Sequence, residues 1–243
     1  MTGQQSFRHI ALSAIVAGLI AGLLVTLVMM FTTVPLIAKA EVYEKAGETG
    51  APPAAIAHHH EAQAAEHDHG ANEWEPEDGF ERAFYTGVAT TLTAIGYALV
   101  LGACFAQMKA VGWKQGLALG LAGFAVFQLA PALGLPPEPP GMPVADLTAR
   151  QLWWLGTALA TALGLGAWFV AYIRKSIIWI VAGAVLLVVP HIIGAPQASE
   201  EHALVPHELA RDFVIASLFT TAVLWISLGT IEGYLFGKWR QAA

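Results

Sequence analysis

Five imidazoles and several carboxylates crowd into twelve residues of this chain. His58-His59-His60-Glu61 is followed by Glu66-His67-Asp68-His69. Neutral imidazole is a ligand for Co, Ni, Zn and Cu(II), and neighbouring carboxylates widen the choice. In extended backbone His67 and His69 project to the same side. In a helix Glu66 and His69 meet across one turn instead. Either conformation pairs two donors. Such a tract can be an expression tag, a solvated loop without a ligand, or a trap for a divalent transition metal. Acids interleaved in mid-chain speak against a tag, and the donor density favours metal capture. The tract does not choose the metal, because affinity runs toward Cu(II) at almost any such site.

Further donors lie near the C-terminal end: His191, His202 and His207, with Glu200, Glu201 and Glu208. The lone cysteine, Cys104, sits in an apolar block and cannot build a thiolate metal site or an internal disulfide. Gly233-Tyr234-Leu235-Phe236-Gly237-Lys238-Trp239 only imitates a phosphate-binding loop, since its spacing and last residue are wrong. No Ser/His/Asp or paired-carboxylate arrangement stands out. The expectation is a protein that is not an enzyme.

The elements that must position these groups are membrane spans. Hydrophobic residues make up 56% of the chain and charged residues only 12%, against about 45–50% and 25% in soluble domains. A span needs roughly 20 apolar residues. Six blocks approach this: Ile10–Phe31, Ala83–Ala106, Trp113–Leu133, Leu152–Tyr172, Ser176–Val189 and Phe213–Phe236. The fifth is short, and Pro190-His191-Ile192-Ile193-Gly194 can extend it as a bent end. The first is too long for the 7–15-residue core of a secretion signal, so it reads as a span. The predicted fold is therefore an all-α membrane protein with six transmembrane helices. Residues 1–38 form the first helical unit. Residues 39–82 form a long acidic, His-rich outer loop, partly disordered around Ala51-Pro52-Pro53-Ala54-Ala55. Residues 83–243 form a five-helix bundle with spans near 83–106, 113–133, 152–172, 176–193 and 213–236.

Charge orients the bundle. With loops assigned alternately, one side holds Arg8, Lys109, Lys114, Arg174, Lys175, Lys238 and Arg240 and no acid. The other holds Lys39, Lys45, Arg82, Arg150 and Arg211 with all the acids except Glu232. Basic short loops mark the cytoplasm, so both termini are predicted inside. Eight of the nine histidines then fall at or beyond the outer boundary; His9 is the exception. That asymmetry points to metal gathered outside and handed inward.

Inside the spans polar groups are few. Glu232, in Gly229-Thr230-Ile231-Glu232-Gly233, either reaches interfacial water or serves an ion path, as intramembrane ionisable residues commonly do. Gln128 and Thr86, Thr90, Thr91 and Thr93 either line that path or bond between helices. Glycines recur at four-residue spacing: Gly18 and Gly22; Gly112, Gly116 and Gly120; Gly229, Gly233 and Gly237. This spacing lets helices approach closely. Ala125-Val126-x4-Pro131 and Ala184-Val185-x4-Pro190 suggest a weak internal repeat, with the second and third spans parallel to the fourth and fifth.

Several longer motifs point to one family. They are Val34-Pro35-Leu36-Ile37-Ala38-Lys39-Ala40-Glu41-Val42-Tyr43-Glu44, His67-Asp68-His69, Trp74-Glu75-Pro76-Glu77-Asp78-Gly79-Phe80-Glu81-Arg82, Leu135-Pro136-Pro137-Glu138-Pro139-Pro140-Gly141-Met142-Pro143, Ala149-Arg150-Gln151-Leu152-Trp153-Trp154 and Pro190-His191-Ile192-Ile193-Gly194-Ala195-Pro196. With these, the chain resembles the CbtA family of cobalt transporter subunits over most of its length. The resemblance implies Co2+ as the transported ion, no tightly bound cofactor, and uptake across a bacterial inner membrane for cobalamin synthesis. It also implies a small single-span, histidine-bearing partner of the CbtB type. A homo-oligomer is compatible with this arrangement, and no nucleic-acid partner is expected. The expected metal donors are His58, His59, His60, His67, Asp68, His69, His191, His202 and His207. The expected path residues are Glu41, Glu44, Asp78, Glu81, Gln128 and Glu232. The rival readings are a membrane-anchored metal-binding or assembly protein that transports nothing, and a nickel or zinc transporter.

Overall fold

Proline placement decides where the first helix breaks. In the computed structural model, which describes residues 3–49, 76–198 and 203–241, α1 runs Gly3–Phe31 and α2 Thr33–Thr49. Pro35 lacks the N–H that would bond back to Phe31, which favours a break in the helix at this point. Thr32 makes the turn, its N–H donating to the Met29 carbonyl at 3.2 Å. Helix therefore continues well past Lys39, into the stretch assigned to the first loop. Its charged residues, Lys39, Glu41, Glu44 and Lys45, had hidden it among loop signals.

The remaining helices are α3 (Phe80–Ala106), α4 (Trp113–Phe124), α5 (Leu147–Arg174), α6 (Ile177–Ile193) and α7 (His207–Gln241). After α4 the chain keeps turning through a π-helical segment, Ala125–Leu129, and a last α turn, Ala130–Ala132. Pro131 sits just beyond the π segment. Its missing donor would leave the Phe127 carbonyl without its α-helical bond, and a wider turn accommodates that loss. Asp146 caps α5, its carboxylate accepting from the Ala149 N–H at 2.8 Å. α5 and α7 begin five or six residues before the expected apolar blocks, because their first turns are polar.

Among the described residues, five helices are long and apolar enough to cross a membrane: Ile10–Phe31, Phe80–Ala106, Trp113–Ala132, Leu147–Arg174 and His207–Gln241. The sixth apolar block is α6, with 17 residues. At 1.5 Å per residue it is about 26 Å long, short of a hydrocarbon core of about 30 Å. Pro190 does not break it; Gly194, at φ 85°, ends it. No strand occurs among the described residues.

α7 is the hub. It packs against α1, α3, α4 and α2, while α1 also packs along α3. The core contains Ala14, Ala17 and Ala21 of α1, Ala94, Ala98 and Phe105 of α3, and Trp225, Leu228 and Phe236 of α7. Small residues on α1 and α3 bring backbones together, as the glycine spacing predicted. A Cβ at Gly22 would lie 2.6 Å from the Thr91 Cα, and one at Gly233 equally close to the Gly116 Cα. α5 and α6 form a separate hairpin, closed by Lys175 at φ 51° and by the Trp168 indole donating to the Ile180 carbonyl at 3.1 Å. The suggested repeat is not matched in packing. α5 packs on α6, whereas α3 and α4 each pack on α7 rather than forming a close pair.

Candidate functional site

Three connections that carry the acids meet at one end of the bundle. Leu204 donates its N–H to the Gly141 carbonyl at 3.4 Å, tying the α6–α7 connection to the α4–α5 connection. Gly141, at φ 78°, lies against Glu44 of α2. Val205 is buried there. Nearby, Arg150 of α5 pairs with Glu138 at 3.0 Å.

A cavity of about 600 Å³ opens at this end. Met29, Met30, Ala38, Glu41, Asp78 and Arg82 are among its lining residues. Glu41 and Asp78 are thus brought together at one cavity. Neither is free, because Arg82 holds both. Its guanidinium donates to the two Glu41 oxygens and, at 3.1 Å, to Asp78 Oδ1. This forked, charge-assisted contact links α2 to α3 at a cavity that Lys39 and Lys45 also line. Glu81 faces a local task, with its Oε2 accepting from the Glu77 N–H at 3.1 Å. Glu44 lies apart, half-buried against Gly141.

The histidines within the described residues are separated. His191 meets the Trp153 ring edge-on, with centroids 6.0 Å apart. His207 is exposed on the first turn of α7. Among the described residues no three His, Cys, Asp or Glu groups come together as a metal-holding cluster. His58, His59, His60, His67, Asp68, His69 and His202 lie outside the described residues.

Two candidates lie within the bundle. Gln128 is half-buried in the π segment. Beside it, Phe127 stacks on Trp225 with rings parallel and centroids 5.5 Å apart, and Tyr97 meets the same indole at 4.7 Å. This aromatic group was not legible in the sequence, where its members are 30 to 130 positions apart. Glu232 is fully buried. Neither of its carboxyl oxygens has a hydrogen-bond partner. Gly102 of α3 and Ile10 of α1 close over it. Of the threonines named above, Thr91 is buried beside Gly22 and Thr90 bonds the Met29 sulfur at 3.7 Å, while Thr86 lines the cavity and Thr93 is exposed.

The opposite end is basic. Arg240 of α7 donates to the carbonyls of Met108 and Lys109, in the turn between α3 and α4. Lys114, Lys175 and Lys238 lie over the rings of Trp113, Tyr172 and Tyr234.

Long apolar helices with outward-facing aliphatic side chains define a multi-pass α-helical membrane protein. The match to a family profile is more particular. The profile described as "Probable cobalt transporter subunit (CbtA)" covers residues 7–237, and the chain belongs to the CbtA family. Its role is therefore cobalt transport, as one subunit of a transporter. No curated protein and no solved structure matches the chain.

Proposed function

We propose that this chain takes up Co2+ across a bacterial inner membrane, acting as a permease subunit rather than an enzyme. In this reading it crosses six times, with both termini in the cytoplasm. α6 serves as a short span, and the bilayer accommodates its length by local thinning. The histidine-rich segment 58–69, with His191, His202 and His207, gathers the ion on the outer face. The ion then reaches the cavity at Glu41 and Asp78, where it must displace Arg82. Glu44, Glu81 and Gln128 complete the polar groups available to the ion along the way, and Glu232 serves as a buried ionisable group rather than as a metal ligand. A small single-span histidine-bearing subunit is the expected partner, and no resident cofactor is required.

The observation that carries this reading is the separation of charge between the two ends of the bundle. Glu41 and Asp78 line the cavity with Lys39, Lys45 and Arg82, and the α4–α5 and α6–α7 connections meet near that end, while Arg240 and the lysine–aromatic pairs gather at the other end. Basic residues and aromatic rings at one boundary follow the rule for a cytoplasmic face.

Cobalt uptake by cells bearing the wild-type chain, and by cells in which all five histidines of segment 58–69 are alanine, tests the outer capture step. Uptake at limiting cobalt should fall, and should fall further in acid for the wild type, because protons compete for imidazole. Unchanged accumulation would remove the segment from the mechanism. The involvement of Glu41 and Asp78 with Arg82 favours a second reading, a metal-binding or assembly protein without transport. Liposomes carrying the chain, alone and with its partner, separate the two by whether Co2+ enters. Competition by Ni2+ and Zn2+ in the same vesicles reads the metal preference.

A further inference from the structure

We propose that Glu232 is a proton-exchanging site at the contact of α1, α3 and α7, and that Co2+ movement is coupled to the proton it carries. The coupling rests on the transport reading above; the proton site does not.

Glu232 is 0% exposed, and both of its carboxyl oxygens lack a hydrogen-bond partner. A bare carboxylate cannot persist in such surroundings, so it must hold a proton or a cation. Among the described side chains the neighbours offer no fixed positive partner; the side chain of His9, beside Ile10, lies outside them. α1 presents Ile10, and α3 presents Gly102, with Cys104 the titratable group close by. α4 presents Gly112 and Gly116 to the adjoining Gly233. The bases nearest in sequence are occupied elsewhere: Arg240 on the Met108 and Lys109 carbonyls, Lys238 over Tyr234. Arg8 and Lys114 are exposed.

A metal ion is excluded on two grounds. Among the described residues no third His, Cys, Asp or Glu completes a ligand set. On the side that faces Gly102 there is also no room. A single carbon placed as Cβ on Gly102 would be 2.8 Å from Glu232 Oε1 and 3.0 Å from Ile10 Cγ2. A space too small for a methyl group cannot take an ion with its ligands, but it can take a proton. Exchange then requires that water reach the carboxyl. The α4–α7 seam, glycine against glycine, has few interlocking side chains to oppose a small shift of α7.

Two measurements on the full-length protein in liposomes test this. The first is labelling by dicyclohexylcarbodiimide, which reacts with protonated carboxyls in apolar surroundings, followed by mass spectrometry. Glu232 should be labelled, and labelling should decline as pH rises. Absence of label at Glu232 in folded wild-type protein would overturn the proton site. The second is Co2+ accumulation with and without an imposed pH gradient, acid outside, so that protons and Co2+ move inward together. In the wild type the gradient should drive accumulation. In Glu232→Gln that response should fall by about tenfold, within the range of ordinary coupling between sites, while downhill entry persists. Glu232→Asp should recover part of it. An unchanged gradient response in Glu232→Gln would overturn the coupling and leave the transport reading intact. No Co2+ entry into wild-type vesicles, with or without the partner, would overturn the transport reading and the coupling, and labelling alone would then decide the proton site.

Discussion

The glycine seam between α4 and α7 makes a prediction with an internal control. Gly116 and Gly120 face the α7 backbone directly. A methyl at Gly116 would strike the Gly229 carbonyl and come within 2.9 Å of the Gly233 Cα. One at Gly120 would strike the Trp225 carbonyl. The obstacle in each case is backbone, which cannot rotate aside as a side chain can. Overpacking of this kind costs about 1–3 kcal/mol. Gly96 on α3 and Gly156 and Gly166 on α5 are also helical, yet a methyl there meets nothing within 4 Å. At those sites alanine should stabilise by about 0.5–1 kcal/mol, through reduced backbone freedom in the unfolded chain. The same substitution should therefore take opposite signs at the two sets, about 1.5–4 kcal/mol apart. For a chain of this length that corresponds to roughly 3–15 °C in midpoint. Thermal unfolding of each variant in detergent, followed by size-exclusion of the surviving fold, measures the difference. If Gly116→Ala and Gly120→Ala melt with Gly156→Ala and Gly166→Ala, the seam is not the contact described.

Other predictions concern single groups. Asp146→Ala removes the α5 cap and should cost about 1 kcal/mol, read in the same melting assay. Trp225→Ala removes a fully buried ring from the Tyr97–Phe127 group and should cost about 3–5 kcal/mol; a milder loss would mean the bundle collapses into the space. Arg82→Gln leaves Glu41 and Asp78 without their shared cation. Because Arg82 is partly exposed, its stability cost should be about 1 kcal/mol or less. Calorimetric Co2+ binding, made in a background lacking the five tract histidines, should nevertheless tighten. Unaltered affinity would show that these carboxylates are not cobalt donors.

Much of the helical layout was legible because it follows from uninterrupted apolar length. The first block matched Ile10–Phe31 end to end, and α3 differed by only three residues at its start. Element starts were less legible where polar turns precede an apolar run, as with Asp146 before α5 and His207 at the head of α7. The glycine spacing announced close contacts but not their partners. That Gly116 meets Gly229, rather than a glycine of α1, depends on how α7 lies in the bundle. The same limit applied to Glu232. Its place in the last span could be read, but its burial depends on which side of α7 faces α1 and α3. The flanking Gly229 and Gly233 were the available signal, since they mark the packed side. The Arg82–Glu41 pair joins residues 41 positions apart across a segment with no regular pattern. Both carboxylates therefore read as available donors when each was already engaged.

The position of α7 also sets an order of assembly. α1 and α3 can pair as soon as both are in the bilayer, since they share an extensive face. α4 has no comparable partner until α7 arrives, because its glycine face is matched by Gly229, Gly233 and Gly237. The helix that joins these parts, 35 residues long, follows all the others described here in chain order. Helices inserted individually must wait side by side in lipid and associate afterwards. A chain interrupted after α6 would thus not be a smaller transporter. It would be an α1–α3 pair and an α5–α6 pair, with α4 held to α5 only through its π-helical end and its glycine face left unmatched.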